Sequence, residues 1–270
     1  MLYMDKLFSL HGKIAIVTGA GGLLGKQHCI ALAEAGAHVI AADIEKMNVE
    51  QFPENIHDKL SMVKLDVTDT ASLSSVRERI ISQFGGIDII VNNAAINDMV
   101  ERRDNTTQGT FEDYPLYLWK KVLDVNVTGV FLCCQYLGDI MEKKSSGTII
   151  NIASTYGVVA PDQSIYLKEN GDRLMYKSPV YPTSKGAIIQ FTKYLAAYWA
   201  QKNIRVNCIS PGGVFADQDQ EFVGNYIRKT PMGRMAQSDD FKGTLVFLAS
   251  DASLYMTGAN IIVDGGWTII

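Results

Sequence analysis

Short apolar runs alternate with longer amphipathic stretches along the chain. The apolar runs occupy residues 14–17, 39–42, 62–65, 87–91, 148–152, 205–209 and 261–263. Most of them are almost continuously hydrophobic rather than alternating, which is typical of strands that helices cover on both faces. The pattern therefore predicts seven strands of a parallel sheet.

The stretches between these runs carry apolar residues at helical spacing. They predict helices over residues 23–35, 70–84, 113–144, 179–202 and 239–250. Strands that alternate with helices of this length indicate right-handed crossovers between parallel neighbours. No Pro/Gly/Ser-rich linker or internal repeat divides the chain. We therefore expect one domain over residues 1–270, an α/β fold of the Rossmann type with a doubly wound, parallel, seven-stranded sheet and helices on both faces.

Composition argues against several classes of partner. The chain has 270 residues, is 47% hydrophobic and carries a net charge of −4, so it lacks the basic surface typical of nucleic-acid or membrane binding. No apolar run is long enough to cross a bilayer, and the N-terminus lacks the apolar core of a secretory signal. We expect a cytoplasmic protein that binds neither a nucleic acid nor a membrane.

The cysteines and histidines show no metal-binding pattern. Cys29, Cys133, Cys134 and Cys208 each lie in an apolar segment and lack ligand spacing, which favours buried, reduced thiols. The four histidines are scattered along the chain. We predict no metal site.

A glycine-rich loop joins the first predicted strand to the first predicted helix. It contains Gly19, Gly21, Gly22 and Gly25, with Leu24 beside the last of them. Glycines let a backbone approach a pyrophosphate closely, and the N-terminus of a helix offers free N–H groups and the positive end of a dipole. A plain strand-to-helix turn would not require four glycines among seven residues. The loop therefore predicts that these five residues bind the phosphates of a dinucleotide.

An acidic residue stands where such a fold binds the adenosine ribose. Asp43 ends the second predicted strand, 18 residues after Gly25 (43 − 25), and Ile44 follows it. The carboxylate would accept hydrogen bonds from the ribose hydroxyls and repel a 2′-phosphate. No arginine follows Asp43 closely. The alternative is an ordinary solvated strand end. We predict NAD rather than NADP as the cofactor, with Asp43 and Ile44 at the ribose.

Four polar residues form a candidate catalytic set. Tyr181 and Lys185 are four residues apart (185 − 181) at the start of a predicted helix, and therefore share one face of it. A phenol with a pKa of about 10 is a poor acid/base at neutral pH, and a nearby ammonium lowers that pKa. Such a pair alone is often only a solvated helix face. Ser154 ends a predicted strand and would hold the substrate oxygen, while Asn126 lies inside a predicted helix, where asparagine is unfavourable.

Taken jointly, these residues resemble the short-chain dehydrogenases/reductases of the ordinary, non-extended type. The resemblance covers residues 13–267 and rests on Thr18-Gly19, Asp66-Val67, Asn92-Asn93-Ala94, Asn126, Ser154, Tyr181/Lys185, Pro211-Gly212, and Thr257-Gly258 with Asp264-Gly265-Gly266. It implies a catalytic tetrad of Asn126, Ser154, Tyr181 and Lys185. It also implies cofactor contacts from Asp66 and Val67 at the adenine, from Asn93, Ala94, Ala95, Tyr181 and Lys185 around the nicotinamide ribose, and from Pro211, Gly212 and Val214 at the nicotinamide.

The resemblance further implies a mechanism and an assembly. Tyr181 takes the hydroxyl proton of the substrate while a hydride leaves its carbon for the nicotinamide, Ser154 steadies the oxygen, and Asn126 links Lys185 to solvent through water. No metal is needed. The helices over residues 113–144 and 179–202 would pack against symmetry mates, so the resemblance implies a homo-oligomer, a tetramer or a dimer.

The chain departs from the family pattern in three places. Leu23 stands where the family has a motif glycine, Ala216 stands where it has a threonine, and 27 positions separate Ser154 from Tyr181 (181 − 154), an unusually long gap. We expect insertions near residues 97–110 and 160–180 to lie over the substrate pocket, because both follow strand ends. Their many polar side chains favour a sugar, amino-sugar or polyol substrate; a solvated surface loop is the alternative.

Four other interpretations of the sequence stay open or are disfavoured. The start of the first helix, Gly25 to His28, together with the long insertions also resembles bacterial flagellin-modification oxidoreductases, which serve surface-sugar biosynthesis. An NAD-binding sensor or scaffold without turnover is possible on the same fold, although an intact acid/base set argues against it. A member of the family that acts on a non-sugar ketone also fits the motifs. Nucleotide-sugar epimerases usually have longer chains with a separate substrate domain.

Overall fold

The structure is a computed structural model that describes residues 3–98 and 110–270. Seven parallel strands form the centre of this part of the chain. The strands are β1 (Ile14–Thr18), β2 (His38–Asp43), β3 (Leu60–Lys64), β4 (Ile89–Asn92), β5 (Gly147–Ile152), β6 (Ile204–Pro211) and β7 (Asn260–Val263). Every neighbouring pair is parallel, in the order β3-β2-β1-β4-β5-β6-β7. The predicted sheet is confirmed.

The order of the strands reverses between β1 and β4. The chain builds one half of the sheet outward from β1 and then returns to build the other half outward from β4. Helices that follow β1 and β4 therefore leave on opposite faces, and a crevice opens at the carboxyl ends of these two strands. This crevice is where open α/β sheets bind ligands.

Helices cover both faces of the sheet, as predicted. They are α1 (Tyr3–Phe8), α2 (Leu23–Glu34), α3 (Thr70–Phe84), α4 (Leu116–Leu123), α5 (Gly129–Lys144), α6 (Val180–Trp199), α7 (Gln220–Arg228) and α8 (Lys242–Ala249). One core cluster includes Leu73, Leu137 and Ile188 from α3, α5 and α6. A second cluster includes Leu32 and Leu245 from α2 and α8. The two clusters lie on opposite faces because alternate residues of each strand contribute to each.

The predicted helix over residues 113–144 is interrupted. It begins at Leu116, and residues Asp124–Thr128 form a π-helical turn between α4 and α5. Such a turn holds one extra residue and is frequent at functional sites. Here it turns the buried side chain of Asn126 toward the loop after β4. None of the helices in the described ranges is long and apolar enough to span a membrane.

Candidate active site

The loop between β1 and α2 depends on glycine at two positions. Gly19 has a φ of +64°, and a Cβ there would lie 2.8 Å from the Cα of Ala94. A Cβ at Gly25 would overlap the carbonyl oxygen of Gly19. Leu23, in contrast, is the first residue of α2 and its side chain is exposed. The departure from the family glycine at this position therefore leaves the path of the loop intact.

The loop after β4 is joined to the glycine loop by hydrogen bonds. The amide of Asn93 donates to the carbonyl oxygens of Thr18 and Gly19, each at 3.0 Å. The hydroxyl of Thr18 accepts from the backbone N–H groups of Asn93 at 3.1 Å and Ala94 at 3.0 Å. The two loops on either side of the crevice therefore form one framework, with Ala95 exposed beside it.

Asp43 holds the outer end of this framework. One carboxylate oxygen accepts from the N–H of Gly21 at 2.9 Å, and the other accepts from the N–H of Glu45 at 3.1 Å. Each oxygen keeps a second lone pair for a ligand. Ile44 is exposed beside it. The carboxylate of Asp66, just after the neighbouring strand β3, is fixed by the backbone and side chain of Thr68 at 2.9 and 2.7 Å, and Val67 is buried next to it.

Ser154, Tyr181 and Lys185 meet at the carboxyl end of β5. The buried ammonium of Lys185 donates to the carbonyl oxygen of Ile152 at 2.8 Å and lies 5.7 Å from the centre of the Tyr181 ring. Ser154 lines the same cavity as Tyr181 and begins the short turn Thr155–Gly157 by accepting from the N–H of Tyr156. The structure therefore brings together three of the four predicted catalytic side chains.

Asn126 is the fourth predicted catalytic residue, and both N–H groups of its side-chain amide already donate hydrogen bonds. Its oxygen accepts from the N–H of Ile96 at 2.8 Å, and its amide donates to the Ile96 carbonyl and to the hydroxyl of Ser184, each at 3.1 Å. Asn126 thus ties the loop after β4 to helix α6. A role for its side chain in a water path to Lys185 stays a prediction.

Burial dominates the electrostatics of the catalytic pair. It lowers the pKa of Lys185 to about 8. It also raises the pKa of Tyr181, although the hydrogen bond from Ser154 acts in the opposite direction. The spacing of the two residues predicts a lowered pKa for Tyr181, whereas the pKa is raised because desolvation of the phenolate is the larger effect.

A cavity of about 600 Å³ opens beside these residues. Besides Ser154, Tyr181 and Lys185, its lining includes six predicted cofactor residues, namely Leu24, Asn93, Ala95, Pro211, Gly212 and Val214. The other predicted cofactor residues are not part of its lining; they lie along the glycine loop, at the ends of β2 and β3 and, for Ala94, in the loop after β4. Ala216, the departure from the family threonine, is exposed, and the side-chain amide of Gln218 instead bridges its N–H and the Val214 carbonyl at 2.8 and 2.7 Å.

The second insertion does not present a polar wall to the cavity. Residues 167 and 173 form an antiparallel bridge, and the turn between them carries Glu169, Asn170 and Asp172 into solvent. Tyr166, Leu174 and Met175 of the same insertion line the cavity instead. The expectation of polar walls is therefore wrong for this segment, because the hairpin separates its polar tip from its apolar base. Lys177 is the one charged side chain of the segment that lines the cavity. The first insertion falls almost wholly on residues 99–109, including Glu101, Arg102, Arg103 and Asp104, which lie outside the described residues.

Helix α7 supplies the opposite wall, which was not predicted from the sequence. Its Phe222 and Tyr226 line the cavity, Phe222 stacks on Tyr166 at 5.3 Å, and Tyr226 stacks on Trp267 at 4.3 Å. The amide of Asn225 donates to the carbonyls of residues 165 and 167 at 3.1 and 2.7 Å. The sequence signal that could have predicted this helix is Asp219, which caps α7 by accepting from the N–H groups of residues 221 and 222.

Comparisons with known proteins agree with this arrangement. The family model described as enoyl-(acyl carrier protein) reductase matches residues 19–268. D-threitol dehydrogenase of Mycolicibacterium smegmatis is 32% identical over 99% of this chain and 97% of its own length. 2-Dehydro-3-deoxy-D-gluconate 5-dehydrogenase of Pseudoalteromonas atlantica is 35% identical over 98% and 99%.

Two solved structures show similar folds with different cofactors. A short chain dehydrogenase from Leptospira borgpetersenii with bound NAD+ has a TM-score of 0.86, 33% identity and coverage of 99% of this chain and 96% of its own. A gluconate 5-dehydrogenase from Burkholderia cenocepacia in complex with NADP and tartrate has a TM-score of 0.84, 28% identity and coverage of 99% and 100%.

Proposed function

The chain belongs to the short-chain dehydrogenase/reductase family of nicotinamide-dependent oxidoreductases that act on alcohol groups, and we propose that it interconverts a secondary alcohol and a ketone of a small sugar-like or polyol substrate with NAD(H). One observation carries the proposal: Ser154, Tyr181 and Lys185 line the same cavity as Asn93 and Gly212, at the crevice between the two halves of the sheet. An acid/base and a place for the nicotinamide therefore face each other.

The residues around the glycine loop fit a dinucleotide. Helix α2 has no side-chain cap at Gly22, which leaves its first N–H groups open to phosphate oxygens. The glycine positions keep the backbone free of Cβ atoms where a pyrophosphate would approach. Asp66 and Val67 would hold the adenine, Asn93, Ala94 and Lys185 the nicotinamide ribose, and Pro211, Gly212 and Val214 the nicotinamide. When bound, the nicotinamide supplies the acceptor or donor of the hydride.

Asp43 supports NAD over NADP. Its carboxylate is fixed by the N–H groups of Gly21 and Glu45, so it cannot swing away from the ribose without losing two hydrogen bonds. A 2′-phosphate placed there would meet a fixed like charge. Relatives with either cofactor are known, and the side chain at the end of β2 is the one expected to decide between them.

The chain's own residues handle the proton. In oxidation, Tyr181 accepts the hydroxyl proton of the substrate through its phenolic oxygen, and Ser154 donates a hydrogen bond to the substrate oxygen. In reduction, neutral Tyr181 gives the proton back to the forming alkoxide. At neutral pH Tyr181 is protonated, as an ordinary phenol is, and burial raises its pKa further, so the oxidative direction requires that the phenol first lose its proton. Lys185, buried between Tyr181 and β5, adds a positive charge that stabilises the phenolate when it forms.

The substrate is proposed to be small because the cavity must hold the nicotinamide as well. The relatives named for threitol and for 2-dehydro-3-deoxy-D-gluconate favour a sugar-like alcohol. A second candidate, a more apolar ketone, is favoured by Leu174, Met175 and Phe222 on the walls.

Steady-state kinetics with purified protein tests the proposal. Wild type and Tyr181→Phe are assayed with NAD or NADP against alditols, sugars, sugar acids and cyclic ketones, by following NADH absorbance. We expect NAD-dependent turnover of a sugar-like substrate, and a loss of about 10²- to 10⁴-fold in kcat for Tyr181→Phe because the proton acceptor is gone.

The control is Tyr176→Phe, which removes a hydroxyl from the same region at a side chain that stacks on Arg173 and does not line the cavity. Its kcat is expected to equal that of wild type. Turnover of cyclic ketones alone would favour the second candidate. Tight NADH binding, measured by fluorescence, without turnover of any compound would favour the sensor or scaffold instead.

A further inference from the structure

A second buried ammonium borders the cavity beside the catalytic pair. Lys177, from the base of the second insertion, is 8% exposed and lines the cavity. Its Nζ lies 4.4 Å from the centre of the Tyr181 ring and 5.9 Å from that of Tyr156. It is closer to the Tyr181 ring than Lys185 is, at 5.7 Å. Lys177 therefore stands within reach of a substrate that reacts at Tyr181.

The insertion holds Lys177 rigidly in this position. The side-chain amide of Gln163 accepts from the N–H of Lys177 at 2.9 Å and donates to its carbonyl oxygen at 3.1 Å, so one amide clamps both backbone groups. The next residue, Ser178, donates to Asp98 at 2.6 Å. The ammonium itself donates to the side-chain oxygen of Asn97 at 2.9 Å. A side chain fixed before binding loses little entropy when a ligand arrives.

The charge of Lys177 has no counter-ion at contact distance among the described residues. Within residues 3–98 and 110–270 its one hydrogen bond is to a neutral amide, and an ammonium has three donors. Burial lowers the pKa of Lys177 to about 8, although the negative charge of Asp98 raises it. The oxygens of Asp98 accept from Ser178 and Tyr114. Asp219 borders the cavity, but it is exposed and caps α7. Two buried ammonium groups, of Lys177 and Lys185, therefore face this cavity.

We propose that Lys177 binds a carboxylate of the substrate, so that the preferred substrates are sugar acids, hydroxylated or keto, rather than neutral sugars or polyols. This inference rests on the function proposed above and narrows its substrate class. A carboxylate would pair with the buried charge at contact distance and accept the ammonium donors that the described residues leave over, whereas a hydroxyl would supply no charge. Since Nζ lies beside the Tyr181 ring, the carboxylate would sit a few bonds from the reacting carbon.

Matched pairs of acid and alditol test this charge alone. D-gluconate and D-glucitol, and threonate and threitol, differ only in whether one terminal carbon is a carboxylate or a hydroxymethyl group. Wild type with NAD is expected to prefer the acid of at least one pair by about 10-fold or more in kcat/KM. In Lys177→Met, kcat/KM for that acid should fall by about 10- to 100-fold, mainly through KM, while the alditol changes by less than about 3-fold.

Three further variants complete the design. Lys177→Arg keeps the charge and should keep the preference for the acid. Lys168→Met removes a lysine from the solvent-facing hairpin of the same insertion and should change neither substrate. The NADH dissociation constant, measured by fluorescence, should be equal in all variants. If thermal denaturation shows that Lys177→Met is not folded, Lys177→Gln replaces it, because glutamine keeps a donor for Asn97. Lys177→Gln is expected to lose kcat/KM for the acid and keep it for the alditol.

The outcomes separate this inference from the function on which it rests. Equal kcat/KM of wild type for acid and alditol would overturn the inference and leave the proposed function standing. So would a loss of kcat on both members of a pair in Lys177→Met together with a shifted pH profile, because the ammonium would then act on Tyr181. No turnover of any acid or alditol by wild type would overturn both.

Discussion

His28 is a polar side chain on the buried face of helix α2. It is 1% exposed, and neither ring nitrogen has a hydrogen-bond partner among the described residues. Burial lowers its pKa from 6.5 to about 4, because a charged imidazole would lose its hydration there. The folded protein therefore holds His28 neutral over a pH range in which the unfolded chain protonates it.

This difference predicts a loss of stability in mild acid. Above pH 6.5 both states are neutral at His28 and the full free energy of unfolding is present. As the pH falls from 6.5 towards 4, only the unfolded state binds the proton, so stability decreases by about 1.4 kcal/mol per unit. Urea unfolding at pH 7 and pH 5 should show that wild type loses about 2 kcal/mol more than His28→Leu. His11→Leu, at an exposed histidine, is the control; equal losses in wild type and His28→Leu would contradict the prediction.

The motif residues were predictable because their spacing is local. Tyr181 and Lys185 are held on one face by helix geometry alone, and Gly19 and Gly25 follow from a strand that turns directly into a helix. Lys177 was visible only as one of many polar residues in an insertion. Its position in the cavity depends on Gln163 and Asn97, which lie 14 and 80 residues away along the chain, and no local pattern encodes such contacts.

At the scale of elements, the strands were predictable and the irregular turns were not. Short, nearly continuous apolar runs between helical patterns are typical of strands that are buried on both faces. Within the π-helical turn at Asp124–Thr128, Asn126 pairs with the backbone of Ile96, 30 residues earlier, and a helical sequence pattern does not predict that contact. Helix α7 and the apolar base of the insertion face each other through Asn225, again a contact distant in sequence.

The junction of β1 and α2 gives a test at this scale. In Gly25→Ala the new Cβ overlaps the Gly19 carbonyl, which is backbone, so the loop must shift. Overpacking of this kind costs about 1–3 kcal/mol. If this free energy is lost from cofactor binding, the NADH dissociation constant should rise about 10- to 100-fold. Fluorescence titration measures it.

Gly243→Ala provides the matched control for that experiment. Gly243 also lies in the first turn of a helix, α8, and a Cβ there meets nothing within 4 Å. It should leave NADH binding unchanged and stabilise the protein by about 0.5–1 kcal/mol. A Gly25→Ala protein with wild-type affinity would show that the glycine loop does not hold the dinucleotide.

At the scale of the whole molecule, a row of aromatic rings crosses helices α5 and α6. Phe131, Phe191, Tyr194 and Tyr198 follow one another with ring centres 6.1–6.3 Å apart. Tyr194 and Tyr198 are 60% and 62% exposed. Contiguous exposed aromatic surface is typical of association sites.

This row leads us to expect a homo-oligomer that forms through α5 and α6. Light scattering after size exclusion should give wild type a mass of two or four chains. The double variant Tyr194→Glu with Tyr198→Glu should give a smaller one, because buried unpaired carboxylates oppose association. Tyr255→Glu, at a fully exposed tyrosine elsewhere, should leave the mass unchanged. A monomeric wild type would contradict the expectation.

Three kinds of contact bind helix α7 to the second insertion. They are the hydrogen bonds from Asn225 to the carbonyls of residues 165 and 167, the Tyr166–Phe222 stack, and the ion pair between Lys229 and Asp162. These two segments therefore pack as one unit, although about 40 residues separate them along the chain. In evolutionary terms, we expect a mutation in one segment to favour a compensating mutation in the other, and a chimera that exchanges only one segment to carry mismatched contacts. The glycine loop takes no part in these contacts, so we expect the substrate range to diverge among descendants without changes in that loop.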